Sequence, residues 1–257
     1  MSNKKDSLGD RMKCYEAVPK NFLIRRTPVI IRLDGAHFHT FTKGFDRPFD
    51  NIIVEAMQTT AKYLCEKIHG CVMAYTQSDE ITLVLCDYQT LETEPWFNYN
   101  VQKMVSTSAA MATIAFSHAL ANIQNELWLS NDISFGDKIE LINRKIETYP
   151  TFDARCFNLS KEEVNNCLVW RQQDAIRNSI QAVAQSKFSQ KELQGISCRN
   201  LVEKLADEKG VVWENYPTHL RRGSCVVKVD GKWVVDKEIP VFSKDKSYVE
   251  SRIKFEE

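Results

Sequence analysis

Two stretches of this chain end an apolar or β-branched run in an acid: Ile30-Ile31-Arg32-Leu33-Asp34-Gly35 and Tyr75-Thr76-Gln77-Ser78-Asp79-Glu80-Ile81. Carboxylates on adjacent strand ends can hold two divalent cations about 3.5–4 Å apart, the arrangement that serves in-line displacement at phosphorus. Hard Mg²⁺ prefers such oxygen ligands and leaves positions open for substrate phosphates. The Gly35 carbonyl can add a third oxygen with no side chain in the way. Taken singly, Asp34-Gly35 is more often a plain turn and Asp79-Glu80 a solvated one. Chemistry depends on the elements that bring the two together.

Those elements can be read from periodicity. Pro28 to Leu33 is a β-branched run and predicts a buried strand. Ile53, Met57, Ala61, Leu64 and Ile68 recur every three to four residues, predicting a helix capped by Asp50 and closed by Gly70. Cys71–Ala74 and Ile81–Leu85 predict two short strands joined by the acidic turn. Asn98 to Leu129 reads as a long helix whose small residues, Ala109 to Ala112, permit close packing. Phe152 to Phe157 predicts a fourth strand. Strand–helix–strand–strand–helix–strand is the α+β, ferredoxin-like split βαβ pattern, a scaffold shared by polymerase palms and nucleotide cyclases. In that topology the two acidic strand ends become neighbours.

The flanking segments add helices and a hairpin. Ser7 to Glu16 predicts a short helix with Leu8, Met12 and Tyr15 on one face. Ser160 to Glu163 has the capping-box pattern and opens a helix to about Ala184. Shorter helical stretches follow near Gln190 and over Asn200–Lys209. Ser224–Val229 and Lys232–Val235, joined by Asp230-Gly231, predict a β-hairpin. Residues 1–158 thus form a palm-like core. Residues 159–257 are a mostly helical appendage with a C-terminal hairpin, packed on the core as a single structural unit.

Composition narrows the class. The 257 residues are 43% hydrophobic and 26% charged, ordinary for a globular protein able to bury a core. Lys plus Arg and Asp plus Glu each number 34, so no basic coat covers the whole surface, although a local basic groove remains compatible. No apolar run approaches the roughly 20 residues that span a bilayer. The start, Met1 to Asp6, is polar, and no membrane partner is expected. Eight cysteines are scattered without a Cys-x-x-Cys pair, which fits a reducing cytoplasm. Cys65, Cys71, Cys86 and Cys225 lie in apolar surroundings as small hydrophobes. Trp170 reads as core. His37-x-His39 lacks a third ligand at zinc spacing.

Five blocks carry a resemblance. Ile31 to Gly35, His37-Phe38-His39, Tyr75 to Glu80, Phe152-Asp153-Ala154-Arg155 and Trp170-Arg171-Gln172-Gln173-Asp174 stand in the order found in the tRNA-His guanylyltransferase family. The resemblance runs from about Leu8 to Gly223. It implies a metal-dependent 3′–5′ nucleotidyltransferase acting at the 5′ end of tRNA, by repair of that end or by adding G to tRNA-His. It also implies a tetramer built as a dimer of dimers.

By the same resemblance Asp34, the Gly35 carbonyl and Asp79 would bind two Mg²⁺, with Glu80 beside them. Gly35, Ala36, His37, Phe38 and His39, together with Ser78, would cradle ATP or GTP. Arg47 stands where the family places a lysine on phosphate. It keeps the charge and gains a fork of donors. Lys103 matches a lysine that contacts a second triphosphate, while the family arginine one turn earlier is Asn100 here. Where eukaryotic members carry His-Ile-Asn-Asn-Leu-Tyr, this chain reads Ile176-Arg177-Asn178-Ser179-Ile180. That resembles the bacterial and archaeal guanylyltransferase-like branch, associated with repair of 5′-truncated tRNA. Arg177 and Asn178 are candidate phosphate contacts in this reading.

Two other functions fit the same acids less well: a palm-type cyclase or signalling enzyme acting on one triphosphate, and a non-catalytic RNA-binding module. Lys187, Lys191, Arg199, Lys204, Arg221 and Arg222 could line an RNA surface or simply a solvated face, since acids are interspersed.

Overall fold

A computed structural model describes residues 7–255; the polar opening residues 1–6 lie outside them. A six-stranded sheet organises the chain, with strands β1 (Val29–Gly35), β2 (Cys71–Gln77), β3 (Glu80–Leu85), β4 (Phe152–Asn158), β5 (Ser224–Val229) and β6 (Lys232–Asp236). Their spatial order is β4-β1-β3-β2-β5-β6, every pair antiparallel. The first four strands in that order make the split βαβ sheet expected from the sequence. The C-terminal hairpin does not sit apart: β5 pairs with β2 and extends the same sheet.

Strand alternation divides the core in two. Val29, Ile31 and Leu33 of β1 face helices α3 (Asn51–Lys67) and α4 (Val101–Leu129) in one apolar cluster. Ile30 faces the other side with Val84, Met73 and Tyr75, against Val164, Leu168 and Ala175 of α6 (Lys161–Gln185). The C-terminal Ile239, Phe242, Val249 and Ile253 complete that second layer. A third cluster joins the far half of α6 to α8 (Cys198–Lys209) and includes Ile176.

Local chemistry explains the main elements. Asp50 caps α3, accepting Ile52 N–H at 2.8 Å, and its other oxygen accepts Asp46 N–H at 2.9 Å. Ala112, Ala115 and Ala119 are buried on α4, where their small size lets the helix lie close to its neighbours. Asn100 caps α4 through its side chain, accepting Lys103 N–H at 3.0 Å.

Several expectations change. A helix after α4, α5 (Gly136–Ile146), was not foreseen. Ser160 precedes α6 without a side-chain cap, and the Glu163 side chain accepts from Asn166; a reciprocal capping box forms at Ser189 and Glu192. Trp170 is not core but half exposed, held between two arginines. By length and composition α4 is apolar enough to cross a membrane, contrary to the reading of the sequence. In this fold it packs instead against α3, α5 and β4. All eight cysteines are free thiols; Cys65 and Cys71 face each other at 3.7 Å. The helix α1 (Leu8–Ala17) forms as expected, yet buries none of its residues.

Four phenylalanines anchor the segment that follows β1. Phe38 stacks on Phe41, Phe116 and Phe152 at centroid distances of 5.0, 5.2 and 5.1 Å. Truncating the fully buried Phe116 leaves a cavity at the centre of this cluster. Phe116→Ala is expected to cost about 3–5 kcal/mol, read as a lowered urea midpoint with an unchanged slope.

Candidate active site

β1 ends at Asp34-Gly35, and β2 passes to β3 through the two-residue loop Ser78-Asp79. In the β1–β3 ladder Asp34 lies opposite Glu80, the residue after Asp79. Gly35 N–H donates to the Asp79 carbonyl at 3.0 Å, fastening one loop tip to the other. Ser78 takes a positive φ of 50°, a region sparsely used by side-chain-bearing residues and often held at functional loops. The two acidic strand ends, 45 positions apart in the chain, therefore meet.

The electrostatics agree with that placement. Burial pushes the Asp79 carboxyl above the usual carboxylate range. The charge of Asp34 adds to the rise, while a backbone bond and the Ser78 hydroxyl partly offset it. The same crowding of negative charge that raises Asp79 also attracts a divalent cation. Among the described residues no three His, Cys, Asp or Glu side chains form a metal cage. Two carboxylates and a backbone carbonyl instead suit Mg²⁺, which binds through one or two carboxylates and completes its shell with water and phosphate.

Glu80 takes a different place from the other two acids. It is buried, and Arg171 of α6 holds both its oxygens, at 2.7 and 2.8 Å. Burial raises its carboxyl while Arg171 pulls in the opposite direction, and the net shift is upward.

Around the loop tips lie most of the other candidates. The stretch Gly35–His39 turns from β1 into the short helix α2 (Phe38–Phe41), with Ala36 N–H bonded to the Thr151 carbonyl at 2.8 Å and His37 at φ 58°. Phe38 lies at the base of the cleft beside this turn, its ring packed into the aromatic cluster. His39, Arg47, Ser78 and Asp79 line this cleft, of about 430 Å³ and bounded by Phe45 and Phe49. Asn178 lines a second, smaller hollow of about 150 Å³ that also reaches Ser78. That hollow is completed by Gln58 and by His219 of α9 (Thr218–Arg222). Neither was foreseen; only their polarity hinted at a role, because their positions depend on how α3 and α9 pack.

Some expected contacts do not come together. Lys103 is exposed near the start of α4, whereas Thr113, in the middle of that helix, reaches the site end of the sheet: its hydroxyl accepts the N–H of Phe152, the partner of Gly35 in the β1–β4 ladder, at 3.2 Å. Ten residues of helix are roughly 15 Å, so within one chain Lys103 stands away from Asp34 and Asp79. Arg177 is paired with Asp174. Arg221 and Arg222 donate to backbone carbonyls of Tyr216 and Ile239, while Arg199 and Lys204 pair with Glu203 and Glu208. The family histidine position, Ile176, is apolar packing against the α8 layer.

The raised Asp79 carboxyl has a consequence for stability. The folded state binds that proton more tightly than the unfolded chain, so ionised Asp79 destabilises the metal-free fold. The penalty is full above the folded-state value and fades as pH falls through it. Without metal, Asp79→Asn is expected to melt higher than wild type at neutral pH. The gain should vanish on acidification toward the ordinary carboxylate range, and Mg²⁺ should raise the wild-type midpoint but not the variant's. Calorimetry in chelator and in Mg²⁺ checks all three.

Residues 9–160 match the family model described as tRNAHis guanylyltransferase. A solved bacterial tRNA(His) guanylyltransferase-like protein in complex with ATP is 41% identical, with TM-score 0.85, covering 97% of this chain and 100% of that one. Another solved structure, described as the bacterial guanylyltransferase-like protein in complex with GTP, is 37% identical with TM-score 0.75 and the same coverage. The tRNA(His) guanylyltransferase of Debaryomyces hansenii is 26% identical over 81% of this chain and 76% of that protein. With more than half its length matched by the family model and a 41%-identical structure spanning nearly all of it, this chain belongs to the tRNAHis guanylyltransferase family of nucleotidyltransferases.

Proposed function

We propose that this nucleotidyltransferase adds nucleotides to the 5′ end of tRNA in the 3′–5′ direction, with ATP or GTP as substrates and two Mg²⁺ as cofactors. The single observation that carries the reading is the meeting of Asp34 and Asp79 at neighbouring strand ends, tied by Gly35 N–H. The complexes of bacterial relatives with ATP and with GTP support the choice of substrate.

Each residue then has a defined task. Asp34, the Gly35 carbonyl and Asp79 hold the metal. Bound there, Mg²⁺ would lower the pKa of the attacking 3′-hydroxyl and neutralise charge building on the phosphates of the leaving group. Ser78 and the Gly35–His39 turn face the triphosphate, and the first N–H groups of a helix such as α2 have no partner within it. Arg47, exposed on the cleft wall, supplies a positive fork for phosphate. Asn178 shares with Ser78 the hollow beside that cleft. No side-chain nucleophile is required.

The substitution of Ile176 for the family histidine favours repair of a 5′-truncated tRNA over one obligatory G on tRNA-His. Exposed apolar residues on and beside α4, Ile114, Trp128, Leu129 and Ile133, together with Leu8 and Tyr15 of α1, support self-association as a tetramer. Eight free thiols support residence in a reducing cytoplasm.

The test offers full-length and 5′-truncated tRNAs with each labelled nucleotide in Mg²⁺. Wild type should restore the missing base pair of the truncated tRNA. Asp34→Ala and Asp79→Ala should each lower transfer by at least about 100-fold with folding retained by circular dichroism. Transfer retained in both would refute the reading. Cyclic or dinucleotide product without RNA would favour a cyclase, and RNA binding without incorporation would favour a binding module.

A further inference from the structure

A chain of ion pairs lies beside the carboxylate pair and has no task in the metal reading. Arg171 Nε donates to Glu80 Oε1 at 2.7 Å, and Nη2 donates to Glu80 Oε2 at 2.8 Å. Nη2 also reaches Asp174 at 2.8 Å, and Arg177 takes the other oxygen of Asp174. The Arg171 and Glu80 side chains are only 8% and 7% exposed. The Trp170 ring lies 4.4 Å from the Arg171 guanidinium, and Arg32 stands 5.5 Å from the same ring.

Such a pair is a poor source of stability, because burying two charges costs about as much as their attraction returns. It is a good source of position, since a two-pronged guanidinium fixes the plane and direction of a carboxylate. Position matters at Glu80 for a specific reason. Glu80 follows Asp79 in the chain and lies opposite Asp34 in the ladder. A free carboxylate at that point would be one more oxygen donor for a hard cation. Thr76 Oγ1 donates to the Glu80 carbonyl at 3.0 Å, so backbone and side chain are both held.

We infer that Arg171 is a positioning residue: by occupying both oxygens of Glu80 it withholds that carboxylate from the metal and steadies the Ser78-Asp79 tip. The metal then meets Asp34, the Gly35 carbonyl and Asp79 in one arrangement. This rests on the metal reading proposed above. It gives the Trp170–Asp174 block a role without placing any of it on substrate.

The test measures Mn²⁺ binding without RNA, by electron paramagnetic resonance, beside steady-state transfer. Arg171→Met releases Glu80 and removes a positive charge, so Mn²⁺ should bind more tightly and with an altered spectrum. Its kcat should fall by about 10- to 100-fold, the usual cost of losing a residue that orients a metal ligand, with KM for RNA unchanged. Adding Glu80→Gln to that variant should return Mn²⁺ affinity toward wild type. If Arg171→Met does not fold, Arg171→Lys, which keeps the charge but loses the fork, is measured for the altered spectrum and the fall in kcat. A wild-type Mn²⁺ affinity and spectrum in a folded variant, with only the melting temperature lowered, would overturn the inference alone. Wild-type protein that binds no Mn²⁺ would overturn the metal reading and this inference together.

Discussion

The hydrogen bond from Gly35 N–H to the Asp79 carbonyl joins the end of one strand to the tip of the hairpin beside it. Everything chemical in this protein depends on that join. It continues the β1–β3 ladder by one step, and the ladder sets which side chains can meet. Because side chains alternate along a strand, a slip of one residue would carry Asp34 from the face shared with Ile30 and covered by α6 to the face under α3 and α4. The fully buried Val29, Ile31 and Leu33 prevent that slip, since each would have to exchange places with a residue of the opposite face. The register of the apolar residues thus secures the register of the acid.

Room at the join is as strictly controlled as register. A Cβ placed on Gly35 would lie 2.3 Å from a ring atom of Phe38, far inside any tolerable contact. Phe38 cannot retreat, because Phe41, Phe116 and Phe152 surround it. The turn into α2 is therefore pressed against an aromatic core on one side and open to the cleft on the other. A rigid support under an exposed turn suits a site that must present backbone groups at fixed positions.

The second face of the sheet shows how the fold has been adapted. A bare split βαβ unit carries its two helices on one face. Here α6 and the C-terminal segment cover the other, and β5 lengthens the β2 edge. This layer brings Arg171 onto Glu80 and places Asn178 and His219 around Ser78. Asn100 shows a related economy of roles. It caps the start of α4 through its side chain, a local structural task.

Much of this was legible in the linear sequence, for a physical reason. Strand and helix periods are local, so the βαββαβ order, the Asp50 cap and the C-terminal hairpin could be read from nearest neighbours. Asp34 and Asp79 stood out because each ended an apolar run in a charge, and topology alone made those ends adjacent. What the sequence could not disclose were contacts made between elements far apart in the chain. Glu80 reads as a third acid of the site in the sequence, whereas its partner Arg171 lies 91 residues later and could not be read from its neighbours. Lys103 matches a lysine on a second triphosphate, but where it stands relative to Asp34 and Asp79 depends on how the long helix α4 lies across the sheet. Trp170 reads as core in the sequence, but the packing of α6 places it half exposed between two cations. The chain determined which residues could do chemistry. Only tertiary packing, which sets distance and the partner of each charge, decided which of them stand where chemistry can be done.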